Sequence, residues 1–592
     1  MALDLAHDDT HNKYRNVQHS TPQHFATASD AKHPAPILNT NVNPVSEIFS
    51  YTGDRKQFIL VMVGLPARGK SFIARKLRSY LSWLGFDVQW FNIGQYRRYL
   101  AEDTVGTKSS DFFDPNNEVT KKRRELYALI ALAELEKFLL NDQASRNKVA
   151  ILDGTNSTDY RRRMIRRFFQ RKDRPLDTVK LLFIESICND EAIIEQNIRN
   201  VKLRSPDYRN VAPEKAMLDF KQRIKHYETT YCPVTDEDGS YIKIIDAGKK
   251  VIGHQVNGYL PSRILYFLMH INLNKVSHFF TRHGESQYNV QARIGGDSPL
   301  SAQGQKYSKT MADFMSLQPE FKSGDMKVWC STLKRCVQTA EAFQSLQTPA
   351  KVYKWRALCE IEAGLCDSMT YEQIEVQYPE EFQLRRGNKL TYRYPQGESY
   401  KDVIKRLEPV IFELERATRP VLVIAHQAVL RCLYGYFMDK PLEEVPYIKI
   451  DLHTVYKLSP TDYSTEVDKF TFGCGHTLLS KRDSTSAVHK APQDQLMSVA
   501  DSVKEKDIGS LSAQFLPRMI SPQLLEEQQK DRLNQYHHRR RHSSPVKQYQ
   551  RHLHVHRRHE HQEKDSHAHT RNDNEKNSPN VNSIFNSNGF DK

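Results

Sequence analysis

Apolar positions along the chain gather into short β-branched runs separated by stretches of helical period. The first run, QFILVMV at residues 57–63, is short enough for a fully buried strand and stops at a glycine. In the following FIARKLRSYLSWLG, residues Phe72, Ile73, Leu77, Tyr80, Leu81 and Leu84 share one helical face, and Gly85 is a natural stop. VAIL at 149–152 and VKLLFIES at 179–186 predict two more strands, followed by the helix RRRMIRRFF and by a helix ending near Lys202. VSHFFTR at 276–282 and VLVIA at 421–425 open and close a second series. Strands alternating with helices predict an α/β chain whose first sheet is doubly wound and parallel.

The pattern fades at both ends. Residues 1–55 are polar and dotted with Pro, Asn, His and Thr, and Gln and Ser recur from 480 to 530. Residues 531–592 hold 12 Lys plus Arg, 7 Asp plus Glu and ten His, with few aromatic or β-branched residues. Such segments cannot bury enough apolar surface to offset the entropy of ordering, so both ends are expected to be disordered extensions. The expected organisation is an extension over 1–55, domains over 56–275 and 276–470, and a basic His-rich tail over 471–592.

Composition narrows the partners. The chain carries a net +15, and the tail supplies a third of it, so the charge is mostly that of a solvated arm and neither nucleic acid nor membrane is an expected partner. The first 25 residues contain no apolar h-region, and the most apolar run, residues 58–65, is far short of the ~20 residues that cross a bilayer. Eight Cys without CxxC pairing fit reduced thiols in the cytoplasm and argue against a zinc site.

The strand ends carry the chemistry. GLPARGKS at 64–71 is GxxxxGK[ST] between a strand and a helix, where backbone N–H groups wrap phosphates, Lys70 reaches the β- and γ-phosphates and the Ser71 hydroxyl ligates Mg²⁺. Asp153 ends the next strand, at the sheet edge where ligands sit; it either manages Mg²⁺ or caps the following helix. Arginines follow at Arg97, Arg98, Arg123, Arg124 and Arg161 to Arg163, of which an anionic acceptor needs two or three. This much predicts a P-loop kinase for an anionic small acceptor. In the second series, two strands end in His283 and His426, with Arg282, Arg335 and Glu360 between or beside them. Two imidazoles, two guanidiniums and a carboxylate suit phosphoryl transfer through a phosphohistidine, with no metal required.

GLPARGKS with FNIGQYRR, LDGTNSTDYRR, NIRNVKLRSPDY and DFKQRIKHYE resembles the kinase half of the 6-phosphofructo-2-kinase/fructose-2,6-bisphosphatase family. TRHGESQYN with RIGGDSPLS, EIEAG, RYPQGESY and IAHQAVLRCL resembles its other half, a phosphoglycerate-mutase-like histidine phosphatase. The resemblance runs from about 56 to 458 and implies one chain that makes fructose 2,6-bisphosphate from fructose 6-phosphate and ATP and hydrolyses it at C2.

The same resemblance places ATP with Mg²⁺ on Gly64, Leu65, Pro66, Ala67, Arg68, Gly69, Lys70, Ser71, Asn197 and Lys202. It places fructose 6-phosphate on Arg97, Arg124, Thr155, Arg161, Lys202, Arg223 and Tyr227. Of the two kinase active-site positions, Asp153 suits Mg²⁺ while Cys188 has no obvious task. In the phosphatase half it makes His283 the nucleophile, Glu360 the proton donor and His426 the second catalytic histidine. Arg282, Arg335, Asn289 and Gly295 match phosphate contacts; Tyr371, Arg385, Lys389, Tyr400, Gln427 and Arg431 match the remaining substrate positions. It further implies a homodimer through the kinase domains. Departures lie at Gly154, Tyr160, Asp114 and Arg204, where animal members have Ala, Glu, Arg and Gly, and at Ala425, where they have Cys. They leave open an alternative, a fructose-2,6-bisphosphatase whose kinase domain is weak or regulatory. In the tail, Ser543 and Ser544 follow a basic run and are candidate targets of regulatory protein kinases.

Overall fold

A computed structural model describes residues 57–481, less the segments 101–108, 142–146, 171–178, 203–206, 209–210, 273–275, 322–326, 462–464 and 474–477. The extension over 1–55, most of the tail with Ser543 and Ser544, and Arg204 lie outside the described residues.

The first domain runs β1 (Phe58–Val63), α1 (Lys70–Trp83), β2 (Asp87–Asn92), α2 (Ile93–Leu100), α3 (Glu118–Leu140), β3 (Lys148–Asp153), α4 (Asp159–Phe169), β4 (Lys180–Ile187), α5 (Glu191–Asn197), α6 (Pro213–Glu228), β5 (Tyr241–Ile245), β6 (Lys250–His254) and α7 (Tyr259–His270). Its sheet has the order β2-β3-β1-β4-β5-β6. All pairs are parallel except β5 with β6, so the expected parallel sheet carries one antiparallel edge strand. Every residue of β1 and β3 is buried, as central parallel strands covered on both faces require.

The second domain runs β7 (His278–Arg282), α8 (Gln287–Val290), α9 (Ala302–Ser316), β8 (Lys327–Ser331), α10 (Lys334–Glu341), β9 (Lys351–Trp355), α11 (Tyr371–Gln377), α12 (Pro379–Gly387), α13 (Tyr400–Arg416), β10 (Val421–Ala425), α14 (Gln427–Phe437), β11 (Thr454–Pro460), β12 (Thr465–Phe472) and β13 (Leu478–Lys481). The sheet order is β13-β12-β11-β7-β10-β8-β9, with β7 and β10 paired in parallel at its centre. The sheet extends past residue 470, because β12 ends at Phe472 and β13 adds an antiparallel edge from the stretch assigned to the tail. A short edge strand has one sheet neighbour and needs no long apolar run, which is why pattern alone missed it.

The domains share apolar core. One cluster of buried side chains runs from Leu60, Leu77 and Leu81 through Phe267 to Leu407, Val429 and Leu433. The helix that starts at the phosphate loop is the hinge of this contact. Lys76 on α1 pairs with Glu415 at 2.8 Å, Arg78 pairs with Asp439, Tyr80 donates to Glu408, and Trp83 Nε1 donates to Cys432 O at 3.0 Å. No helix among the described residues is long and apolar enough to cross a membrane.

Candidate active sites

The phosphate loop leaves β1 at Gly64, whose φ is 134°; a Cβ there would lie 2.4 Å from Ser186 O, so only glycine fits between β1 and β4. Gly64 N donates to Thr155 O at 2.9 Å, and Asn156 Nδ2 donates to Met62 O at 2.9 Å, which ties the loop to the end of β3. On the other side, Asn197 Nδ2 donates to Ala67 O at 3.1 Å and the Ser186 hydroxyl to Arg68 O. Arg68 donates to Pro66 O at 3.2 Å, and Lys70 Nζ to Leu65 O at 2.5 Å, so the buried amine lies within the loop. Arg68, Ser186, Cys188 and Asn197 line a small hollow beside the loop. This places Cys188 in the wall of that hollow.

Asp153 is buried and accepts from Asn92 Nδ2 at 2.6 Å. It does not cap the helix after it: Thr158 does, accepting from Arg161 N at 3.2 Å. A Cβ on Gly154 would lie 2.7 Å from Ile93 Cδ1, a flexible tip, so this departure gives Ile93 its room.

The candidate acceptor residues surround two phenylalanines. Arg97 and Arg223 lie over Phe113, 5.5 and 3.7 Å from its centroid, and Tyr227 packs against the same ring at 5.8 Å. Arg124 lies 5.9 Å over Phe112 and donates to its carbonyl, and Arg161 Nη2 reaches Arg124 O at 3.3 Å. Arg97 pairs with buried Asp207, which Arg98 and Arg223 approach at 3.8 Å. Phe112, Phe113 and Asp207 were not among the expected residues; an aromatic floor and a buried counter-charge have no local sequence signal. Of Lys202, which ends the turn Ile198–Lys202, only the backbone is described.

The second site is a single cleft. Arg282, His283, Asn289, Gly295, Arg335, Glu360, Tyr371, Arg385, Lys389, Tyr400, Gln427 and Arg431 all line it, together with unanticipated Arg293 and Tyr394. His426 stands behind the lining, fully buried, with its ring centroid 5.0 Å from that of His283. The parallel pairing of β7 and β10, with Arg282 opposite Ala425, brings the two histidines together, and His283 N donates to Ala425 O at 3.0 Å.

Hydrogen bonds assign the ring nitrogens. His283 Nδ1 meets Gly284 O at 2.7 Å and therefore carries the proton, while its Nε2 accepts from Arg335 Nε at 3.2 Å. The same Arg335 N–H is shared with His426 Nδ1 at 3.2 Å, so the His426 proton sits on Nε2, 3.3 Å from Cys336 Sγ. Burial, and then the adjoining Arg335 cation, hold both imidazoles well below their ordinary pKa. His283 thus offers a neutral Nε2 lone pair beside a guanidinium.

Glu360 is held by backbone. Its carboxylate accepts from Gln427 N at 3.0 Å, Ala428 N at 3.1 Å and Ile361 N at 3.0 Å. The N-cap of α14 is His426, which makes no capping bond, so Glu360 does that work from across the cleft. Asn289 Oδ1 is occupied in a capping box with Ser286, leaving its amide NH₂ to offer to an anion. Gly295 has φ 67°, and a Cβ there would collide with Asp367. On the far wall, Arg385 donates to Tyr371 Oη at 2.9 Å, and Arg431 to Tyr400 Oη at 3.0 Å and Ile448 O at 2.7 Å. Burial, with Arg431 and Arg385 nearby, lowers Lys389 to about 8.

Comparison with known proteins covers both domains. Residues 46–275 match the family model of 6-phosphofructo-2-kinase, and residues 278–472 match that of the histidine phosphatase superfamily, branch 1. The chain is 46% identical over 413 residues to the 6-phosphofructo-2-kinase/fructose-2,6-bisphosphatase of Gallus gallus, covering 69% of this chain and 84% of that one. It is 48% identical over 414 residues to 6-phosphofructo-2-kinase/fructose-2,6-bisphosphatase 4 of Rattus norvegicus, covering 69% and 84%. With 6-phosphofructo-2-kinase/fructose-2,6-bisphosphatase 3 of Homo sapiens it shares 44% over 438 residues, 73% and 80% of the two chains. Two sites on two sheets and relatives that span both domains lead to one conclusion: the chain belongs to the 6-phosphofructo-2-kinase/fructose-2,6-bisphosphatase family.

Proposed function

We propose that the chain both makes fructose 2,6-bisphosphate, from ATP and fructose 6-phosphate, and hydrolyses it at C2. The observation that carries this reading is that each domain presents a developed site at the C-terminal ends of its central strands.

In the kinase half the phosphate loop and Lys70 hold the nucleotide phosphates, and the arginines over Phe112 and Phe113 hold the sugar phosphate. Ser71, in the first turn of α1, and Asp153, at the end of the neighbouring strand β3, are hard oxygen donors that fit Mg²⁺, which takes oxygen ligands and keeps several waters. When bound it neutralises charge on the transferring phosphate. Thr155, Arg161, Arg223 and Tyr227 remain substrate candidates, as do Asn197 for ATP and Lys202 for both ligands.

In the phosphatase half, His283 Nε2 attacks the C2 phosphorus and the bond to the C2 oxygen breaks. Arg282 and Arg335 stabilise the equatorial oxygens, with Asn289 and the backbone at Gly295 alongside. Glu360, held in place by the three N–H donors, acts as the general acid that gives a proton to the leaving alkoxide. Water then cleaves the phosphohistidine with Glu360 accepting its proton, and no metal takes part. The second phosphate lies among Arg385, Lys389 and Arg431, where Tyr371, Tyr400 and Gln427 complete the wall.

A paired assay of synthesis and breakdown tests the reading. Lys70→Ala removes synthesis by at least ~10³-fold and leaves breakdown intact; His283→Ala does the reverse, since an activated nucleophile is worth several orders of magnitude. Breakdown without any synthesis in the wild-type chain would favour the regulatory-kinase alternative. The homodimer, a cytoplasmic location and control through Ser543 and Ser544 belong to the same proposal.

A further inference from the structure

Glu360 sits in a loop, and a reacting group on a loop works only when rigid elements hold it. Its carboxylate is bound to the first turn of α14, while its main chain is bound elsewhere. Arg406, on α13 and outside the cleft lining, donates to three carbonyls of that loop: Nη1 to Ala357 O at 2.5 Å, and Nη2 to Cys359 O at 2.7 Å and Glu360 O at 3.2 Å. The same guanidinium grips the Glu398 carboxylate side-on, Nε to Oε1 at 2.8 Å and Nη2 to Oε2 at 3.0 Å. Glu398 then closes on the other side of Glu360: its Oε2 accepts from Glu362 N at 3.1 Å, and its own N donates to Glu362 O at 2.9 Å. One ion pair thus holds the loop on both sides of the proton donor.

The chemistry of the brace calls for arginine. Three carbonyl oxygens that converge on one point repel unless a cation with several donors lies among them. A guanidinium spreads five N–H groups over a plane and can meet the carbonyls and a carboxylate together, whereas an ammonium offers three donors from a single atom. The anchor is firm, because Val403 and Leu407 on α13 belong to the same buried cluster as Val429 and Leu433 on α14. The main chain of Glu360 is tied to one helix of this packed pair and its carboxylate to the other. We propose that Arg406, with Glu398 as its partner, is a positioning residue of the bisphosphatase, fixing the main chain of Glu360 so that its carboxyl group meets the leaving C2 oxygen. The role in catalysis rests on the bisphosphatase reading above.

The test is Arg406→Lys in the full chain, which keeps the charge and loses the fork, with His283 phosphorylation followed by rapid quench. With fructose 2,6-bisphosphate the rate falls at least tenfold while KM stays within twofold. With 2,4-dinitrophenyl phosphate, whose phenolate leaves without a proton, the rate stays within threefold of wild type. An equal fall with both substrates would mean a general distortion of the cleft, and no fall with either would mean that the brace places nothing; each result overturns the proposal. Glu398→Gln, which keeps the shape of the partner and removes its charge, shows the same selectivity with a fall of at least threefold, and decides the matter if the lysine variant does not fold. Hydrogen exchange reads the placement without any activity. The amides of Gln427 and Ala428, which donate to Glu360, exchange at least tenfold faster in Arg406→Lys, and unchanged exchange there also overturns the proposal. A wild-type chain that does not cleave fructose 2,6-bisphosphate would instead defeat the bisphosphatase reading, while the exchange result still decides whether Arg406 places Glu360.

Discussion

The two sites of this chain are built in opposite ways. In the phosphatase cleft one guanidinium N–H bridges two neutral imidazoles, and backbone amides clamp the one carboxylate, so the reacting groups are fixed by bonds among themselves. In the kinase site the cations rest on an aromatic floor and share a carboxylate, Asp207, that stands where three arginines converge. The first site positions a covalent step, which tolerates little displacement. The second must admit two substrates and hold charge, which cations over aromatic rings can do while still rearranging.

The largest test of this contrast is Glu360→Gln. It lowers the bisphosphatase kcat by ~10²–10⁴-fold, the usual worth of a general acid, with synthesis unchanged in the paired assay. A loss of synthesis as well would mean that the clamp on α14 reaches α1 through the shared core, and the two sites would no longer be separate.

Asp207→Asn strikes the other site. Removing one partner of a buried charge cluster costs about 3–5 kcal/mol, here by leaving Arg97, Arg98 and Arg223 facing one another. The melting temperature falls, and fructose 6-phosphate restores more of it than it adds to the wild type, because a phosphate takes over the arginines. An unchanged melting temperature would show that the arginines do not depend on Asp207.

A pH profile examines the cleft's cations. With its pKa lowered to about 8, Lys389 is charged below that pH and loses its proton above it. A bound phosphate favours the charged form, so substrate binding takes up a proton above pH 8, and KM for the bisphosphate rises by up to ~tenfold per pH unit. Lys389→Arg, which keeps its charge, flattens that rise.

The smallest expected effect concerns Cys336, whose thiol burial holds well above its ordinary pKa and therefore protonated next to His426. Cys336→Ala removes a weak partner and lowers kcat roughly 2–10-fold, as the loss of about 0.5–1.5 kcal/mol implies, while Cys336→Ser recovers it. A Ser variant no better than Ala would show that the sulfur only fills space.

Much of this was legible in one dimension. The phosphate loop, Asp153, His283 and His426 all follow apolar runs, because parallel strands deliver their C-terminal ends to one edge and a buried strand announces itself by composition. Glu360 was legible as a residue but not in its place: the strand pattern says nothing about a loop carboxylate that caps a helix 67 residues later. Asp153 shows the converse, since its two readings, cap or ligand organiser, were separated only when Thr158 proved to hold the cap.

The sequence by itself determined the two-domain α/β order, the phosphate loop and the histidine pair, since those depend on local period and on residues at strand ends. Tertiary structure alone decided which nitrogen of each histidine is free, that Phe112, Phe113 and Asp207 underlie the arginines, and that α1 joins the domains. Those facts arise from contacts between residues tens to hundreds of positions apart, and the energy of such contacts depends on distance and burial, neither of which a linear pattern contains.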